Sequence, residues 1–253
     1  MLHSPLSIIF DLDGTLLDTL ADIATAANRA LQDLDVPTHS IDSYKTLVGD
    51  GVVVLFQRAL PPHAAQDPEK VSQAVSRFKT HYEQLWDATS KPYDGINELL
   101  ASLSSSQANL MVLSNKPDAF TKACVNRFFP NERFLAVLGN RDDFPCKPDP
   151  AGVSVLLREA TQRLHAAATP QNGTTFELTP NQCIYLGDTN TDMQTAVAAG
   201  CYPVGVTWGF RSAAELVTAG AKTLIHHPSE LIPLLTSISS EGRLTSSTTS
   251  RHR

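Results

Sequence analysis

The 253-residue chain carries 26 acidic side chains against 20 Lys and Arg, a formal charge of -6, with 42% hydrophobic and 18% charged residues. This is the balance of a globular chain with a full core, and it contains no basic cluster interleaved with aromatics of the kind a nucleic-acid surface needs. Cys124, Cys146, Cys183 and Cys201 are too widely spaced for a zinc motif or a disulfide framework, and no apolar run approaches the roughly 20 residues of a membrane helix, so no membrane contact and a reducing, cytoplasmic setting are expected.

In chain order, the opening MLHSPLSIIF lacks a basic leader region, so no secretory signal is expected. Leu6 to Phe10 predicts a buried strand, yet it stops on Asp11 and Asp13 ahead of Gly14. Side chains two apart on a strand share a face, so both carboxylates point the same way. Like charges that close repel unless a cation or a shared proton relieves them. Taken alone, the stretch also fits an Asp13-Gly14 turn behind a solvated Asp11.

From Leu16 to Lys91 the pattern is helical, with almost no strand signal. Leu20, Ile23, Ala24, Ala27, Leu31 and Leu34 form one apolar stripe at helical spacing. Val71, Val75, Phe78, Tyr82 and Leu85 alternate steps of four and three, which predicts packing along a neighbouring helix. Residues 16–91 are therefore expected to be a lid inserted after the first strand, free to open and close on two short linkers. The remaining core is expected to span residues 1–15 and 92–235.

Beyond the lid, short apolar runs alternate with helical segments. Strands are predicted at Leu110 to Leu113, Phe134 to Leu138, Cys183 to Leu186, Pro203 to Val206 and Thr223 to Ile225, an α/β class with a mainly parallel sheet. Ala166 to Asn181 reads as a surface insertion, and the Ser/Thr-rich stretch from Thr236 to Arg253 as a disordered tail.

In an open parallel sheet, ligands bind outside the carboxyl ends of the strands. Four predicted strands are followed by chemistry-bearing residues: Asp11, Asp13, Gly14 and Thr15; then Ser114, Asn115 and Lys116; then Lys147; then Gly187, Asp188 and Asp192. Several carboxylates gathered together call for a hard divalent cation, and Mg²⁺ favours a few carboxylates plus substrate phosphate and water. Lysine, hydroxyl and backbone donors suit a phosphoryl group. Asp188 and Asp192, four apart, are expected to share a face at a helix start. No GxxxxGK[ST] is present, so an ATP-type phosphate loop is excluded. Each motif alone is weak: SNK also fits a helix-capping turn, and GDTNTDM an ordinary N-cap. Their joint order is specific.

DLDGTLLDT, SNK, KPDP and GDTNTDM, in that order, resemble the four motifs of the haloacid-dehalogenase-like phosphatase superfamily. VGDGV at Val48 to Val52, PYDGI at Pro92 to Ile96 and AAGCYPVGVTWGF at Ala198 to Phe210 resemble its phosphoglycolate phosphatase branch more narrowly. The resemblance implies a Rossmann-like core with an inserted helical cap. It implies Asp11 as the nucleophile forming an aspartyl-phosphate, Asp13 as general acid and base, and Lys147 as the charge-balancing catalytic lysine. It places Mg²⁺ on Asp11, the Asp13 backbone carbonyl, Asp188 and Asp192, and the phosphate on Ser114, Asn115 and Lys147, with donors near Gly14 and Thr15. The substrate is then a small phosphorylated metabolite, 2-phosphoglycolate first, with a sugar phosphomutase or a phosphatase for another small ester or pyrophosphate as alternatives. A non-catalytic phosphate- or partner-binding relative would lack an acid that this chain retains. In the cap, Lys45 to Gly51 is the candidate specificity loop, where Gly49 and Gly51 let the backbone approach a substrate. Lys45 is either a partner for a substrate carboxylate or a solvated helix lysine. Oligomeric state is not legible in the residues.

Overall fold

The computed structural model describes residues 6–167 and 177–240. Among these, the strands are β1 (Ser7–Phe10), β2 (Leu17–Asp18), β3 (Lys91–Pro92), β4 (Asn109–Pro117), β5 (Phe134–Asn140), β6 (Cys183–Gly187), β7 (Tyr202–Val206) and β8 (Thr223–Ile225). The helices are α1 (Leu20–Gln32), α2 (Tyr44–Leu47), α3 (Val52–Ala59), α4 (Pro62–Ala65), α5 (Pro68–Leu85), α6 (Ile96–Ser105), α7 (Asp118–Phe128), α8 (Ala151–Ala167), α9 (Asn190–Ala199), α10 (Ala213–Thr218) and α11 (Leu231–Ser240).

Six strands form one parallel sheet in the order β5-β4-β1-β6-β7-β8. The apolar runs are continuous because both faces of this sheet are covered. Ile8 and Phe10 enter a cluster with α6, α7 and α11, while Ile9 joins Met111 and Tyr185 against α8 and α9. The order reverses at β1, whose neighbours are β4 on one side and β6 on the other. The crevice outside its carboxyl end is the topological switch point where such sheets take ligands.

Helices α1 to α5 close on their own apolar cluster. Buried Ala24, Ala26, Ala27 and Ala30 let α1 lie close to α5, which contributes Val71, Ala74, Phe78 and Tyr82. The two crossings into this insert pair with each other, β2 antiparallel to β3, through Leu17 opposite Pro92 and Asp18 opposite Lys91. Asp22, in the first turn of α1, fastens the return crossing. Its carboxylate accepts from the Thr89 N–H and hydroxyl and from the Ser90 N–H and hydroxyl, at 2.6 to 3.0 Å. Burial works against that charge, yet these four donors hold Asp22 below the usual carboxylate range.

Three boundaries differ from the sequence expectation. Leu16 and Leu17 pack in the sheet's core, so the insert's own cluster begins at Leu20. The stretch expected to be disordered from Thr236 instead begins as helix: α11 continues to Ser240, because Leu235 and Ile238 share a buried face. Residues 241–253 of that expected tail lie outside the described residues, as do residues 168–176 of the expected insertion. The insertion's far end is docked, with Leu178 buried and its N–H donating to Thr161 Oγ1 at 3.1 Å. No described helix is long and apolar enough to cross a membrane.

Candidate active site

Asp11 is the first residue past β1, and its N–H still donates to the Leu186 carbonyl at 2.9 Å, so the sheet sets its position. Its Oδ1 accepts from the Leu12 N–H at 2.7 Å and lies 2.9 Å from Lys147 Nζ. Lys147 Nζ also reaches Asp192 Oδ1 at 2.7 Å and the Leu113 carbonyl at 3.2 Å. Asp188 is braced on both oxygens, by Thr15 Oγ1 at 2.8 Å and by the Phe210 N–H at 2.8 Å. Asp11, Asp188 and Asp192 each present a carboxylate oxygen within 4.8 Å of the other two.

The electrostatics of that cluster are unbalanced. Burial pushes the Asp11 carboxyl up to about 7, and repulsion from Asp192 adds to this while Lys147 opposes it. Burial and the neighbouring carboxylates of Asp192 and Asp11 likewise raise Asp188 well above its usual range. Lys147 stays an ammonium: burial pulls its pKa down, but Asp11 and Asp192 outweigh that. Three buried carboxylates around one ammonium leave an excess of negative charge. An all-oxygen acidic donor set of this kind fits a hard divalent cation such as Mg²⁺.

Asp188 and Asp192 meet by a different route from the shared helix face expected. Helix α9 starts at Asn190 with Thr189 as its N-cap, so Asp188 lies ahead of the helix. Asp192 reaches back from the third helical position to the Thr189 N–H at 3.0 Å and hydroxyl at 2.6 Å, a capping box that turns it toward Asp188.

Glycine is required twice around Asp188. Gly14 adopts φ +87°, and a Cβ there would lie 2.1 Å from Asp188 Oδ2. At Gly209 a Cβ would lie 2.3 Å from Asp188 Cβ and 2.4 Å from the Gly14 carbonyl oxygen. Gly209→Ala is expected to displace Asp188 and cost about 1–3 kcal/mol of stability by overpacking. A lower melting temperature with less protection by Mg²⁺ is the result to look for; wild-type melting in both conditions would refute it.

Asp13 points away from the acidic cluster. Its carboxylate accepts from Thr19 Oγ1 at 2.7 Å and from Lys116 Nζ at 2.7 and 2.9 Å. Gly14 and Thr15 do not offer free donors. The Gly14 N–H is bonded to Leu17, the Thr15 N–H to Leu12, and the Thr15 side chain to Asp188. Asn115 is also occupied. Its amide donates to the Gly49 carbonyl at 3.0 Å and the Lys147 carbonyl at 3.1 Å, and accepts the Lys147 N–H at 2.8 Å. It therefore ties the cap loop to the loop that carries Lys147. Ser114 is buried, and its oxygen accepts the Lys116 N–H at 3.2 Å.

A cavity of about 70 Å³ lies between the sheet and the insert. Its floor includes Asp11, Asp13, Ser114, Asn115 and Lys116, and its roof includes Gly49, Gly51, Leu55, Phe78 and Tyr82. Lys147, Asp188 and Asp192 sit behind Asp11, outside that wall. Lys45 is remote from it. One turn of α2 leaves its side chain exposed and paired with Asp42 at 2.8 Å. The loop from Val48 to Gly51 is fastened to the core by Arg211 Nη2 on the Val48 carbonyl at 2.8 Å, by Asn115 on Gly49, and by the Thr191 hydroxyl on Asp50.

Sequence reasoning missed Lys116 as a partner of Asp13, although it sits in the SNK stretch beside two residues assigned to the site. It also missed Tyr82, which reads as one more apolar position in the stripe of α5. The role of Phe210 toward Asp188 belongs to a backbone N–H, for which side-chain identity is no signal.

The model of the haloacid dehalogenase-like hydrolases matches residues 8–206. A phosphoglycolate phosphatase of Colwellia psychrerythraea is 31% identical over 229 residues, covering 89% of this chain and 94% of that one. One from Vibrio cholerae is 31% identical over 217 residues, 84% of this chain and 88% of the other. Among solved structures, a haloacid dehalogenase-like family hydrolase from Streptococcus pneumoniae superposes with a TM-score of 0.75 at 25% identity, over 91% of this chain and 98% of that one. With the family matched over residues 8–206 and these relatives aligned over most of its length, the chain belongs to the haloacid dehalogenase-like hydrolases and is a phosphatase of their phosphoglycolate phosphatase-like branch.

Proposed function

We propose that the chain is a Mg²⁺-dependent phosphatase that hydrolyses 2-phosphoglycolate, or a closely similar small phosphate monoester, through an aspartyl-phosphate on Asp11. The observation carrying this reading is the cavity between sheet and insert that has Asp11 and Asp13 on its floor and the cap loop on its roof. Asp11, the Asp13 backbone carbonyl, Asp188 and Asp192 would hold the cation, which neutralises phosphate charge when bound. The Asp11 carboxylate forms a bond to phosphorus as the ester P–O bond breaks. Asp13 delivers a proton to the departing alkoxide, then takes one from the water that cleaves the aspartyl-phosphate. Lys147, already fixed against Asp11, keeps the nucleophile ionised and directed, and the Ser114 hydroxyl is the floor's free donor to a phosphate oxygen.

The size of the cavity favours a small ester. At about 70 Å³ it is far below the roughly 300–1,000 Å³ of drug-sized ligand pockets. Its roof is mostly apolar, with Ile23, Val52, Leu55 and Phe78, and leaves few partners for the several hydroxyls of a sugar, which weighs against a phosphomutase. Relatives named as phosphoglycolate phosphatases support the particular ester. Four free thiols are in keeping with a reducing, cytoplasmic setting.

A phosphate-release panel over small esters and pyrophosphate, with and without Mg²⁺, tests the reading. The expected result is Mg²⁺-dependent release, fastest from 2-phosphoglycolate. Interconversion of β-glucose 1-phosphate and 6-phosphate without net release would replace the reading by a mutase.

A further inference from the structure

We infer that Lys116 and Tyr82 together form the subsite that reads a carboxylate on the leaving group, which makes a small phosphorylated carboxylic acid the preferred substrate class. This rests on the phosphatase reading above and says which residues choose among its substrates. Of the described residues lining the cavity, Lys116 carries the only positive charge. The other lysine of the site, Lys147, lies outside that wall with its ammonium committed to Asp11 and Asp192. An anionic substituent entering beside Asp11 therefore has one cation on the cavity wall to meet, an ammonium that also bonds to both Asp13 oxygens.

Tyr82 supplies the second half. It is 2% exposed, lines the cavity, and its hydroxyl lies near the Lys116 ammonium without a hydrogen bond of good geometry. A buried hydroxyl left unsatisfied costs free energy, so a hydroxyl retained on a cavity wall is suited to a ligand that satisfies it. Burial pushes its pKa up, which keeps it a donor. Lys116 Nζ lies 5.0 Å from the centroid of the Tyr82 ring, so the two donors belong to one corner. The ring is fixed there by stacking on Phe78 at 5.1 Å and an edge contact with Phe120 at 5.0 Å. The rest of the roof is apolar, so a substrate reaching this corner gains its polar contacts from these two side chains. Lys116 also bonds to Asp13, which places the anion-reading group beside the residue that protonates the leaving oxygen.

The test compares 2-phosphoglycolate with ethyl phosphate, in which a methyl group replaces the carboxylate. The wild-type ratio of kcat/KM is expected to favour 2-phosphoglycolate. Lys116→Met is expected to cut that ratio roughly 10- to 100-fold, as for loss of a charge-assisted hydrogen bond. Tyr82→Phe keeps the ring packing and is expected to cut it about 3- to 10-fold, so it decides the matter should the lysine variant fold poorly. Taking the ratio cancels effects that reach both substrates through Asp13. A wild-type ratio near one, or an unchanged ratio in Tyr82→Phe and in folded Lys116→Met, overturns the subsite while leaving a phosphatase. Release from neither ester by the wild type removes the reading and the subsite together.

Discussion

Asp11→Asn is expected to abolish phosphate release, by a factor on the order of 10⁴–10⁶, the loss typical of removing a covalent nucleophile. The same variant is expected to melt higher than the wild type in metal-free buffer at pH 8. An amide occupies the same space, still accepts from the Leu12 N–H and Lys147, and cannot attack phosphorus. Its stabilising effect follows from the charge it removes. Burial and Asp192 raise the Asp11 carboxyl to about 7, whereas an unfolded aspartate titrates at roughly 3.9. Between those values the folded wild type holds more protons than the unfolded chain, so its stability falls as pH rises through that window. The asparagine variant lacks this loss. Its advantage should open between pH 4 and 7 and then level off, while Mg²⁺ should protect it less than the wild type. Melting curves at pH 5, 6, 7 and 8 in EDTA, alongside phosphate release, check both halves. Turnover within tenfold of wild type refutes the nucleophile, and a lower melting temperature at pH 8 refutes the charge argument.

What the residues made legible follows from how each part is held. The strands of the parallel sheet are buried on both faces and so appear as unbroken apolar runs, which placed five of the six within two residues at either end. The exception is β4, which runs on through Ser114, Asn115 and Lys116 to Pro117. Polar residues end an apolar pattern, while the backbone remains extended. The insert was visible because α1 and α5 carry stripes of helical period, although the pairing of its two crossings rests on two-residue strands too short to show a pattern. Asp11, Asp188, Asp192 and Lys147 were foreseeable as a group because strand ends in one sheet converge. Tyr82 and Lys116 were not, since their meeting depends on how the insert docks. That docking runs through Asn115 on the Gly49 carbonyl and Arg211 on the Val48 carbonyl. A carbonyl is common to every residue and leaves no trace in the sequence. Lys45 shows the converse: it sits in the right loop, but a one-turn helix ties it to Asp42.

Lys147→Met is expected to be the most destabilising single change in the site. Lys147 Nζ bonds to Asp11, Asp192 and the Leu113 carbonyl, and its side chain is 3% exposed. Methionine fills much of the same volume, so a cavity contributes little. What remains is a buried carboxylate cluster stripped of its one cation. Removing one partner of a buried ion pair costs about 3–5 kcal/mol, or roughly 6–20 °C in melting temperature for a chain of this size. The pH dependence has a definite sign. Without the lysine, the carboxyl of Asp11 rises further above its unfolded value. The window in which stability falls with rising pH then extends upward, so the variant trails the wild type more at pH 8 than at pH 5. Protonation at low pH relieves the unpaired charge and narrows the gap. Turnover falls as well, because Asp11 is no longer held ionised beneath the phosphate. Thermal melts in EDTA at both pH values decide the point: a gap under 2 °C at pH 8, or one that widens as pH falls, would mean that Lys147 does not carry the charge balance of the site.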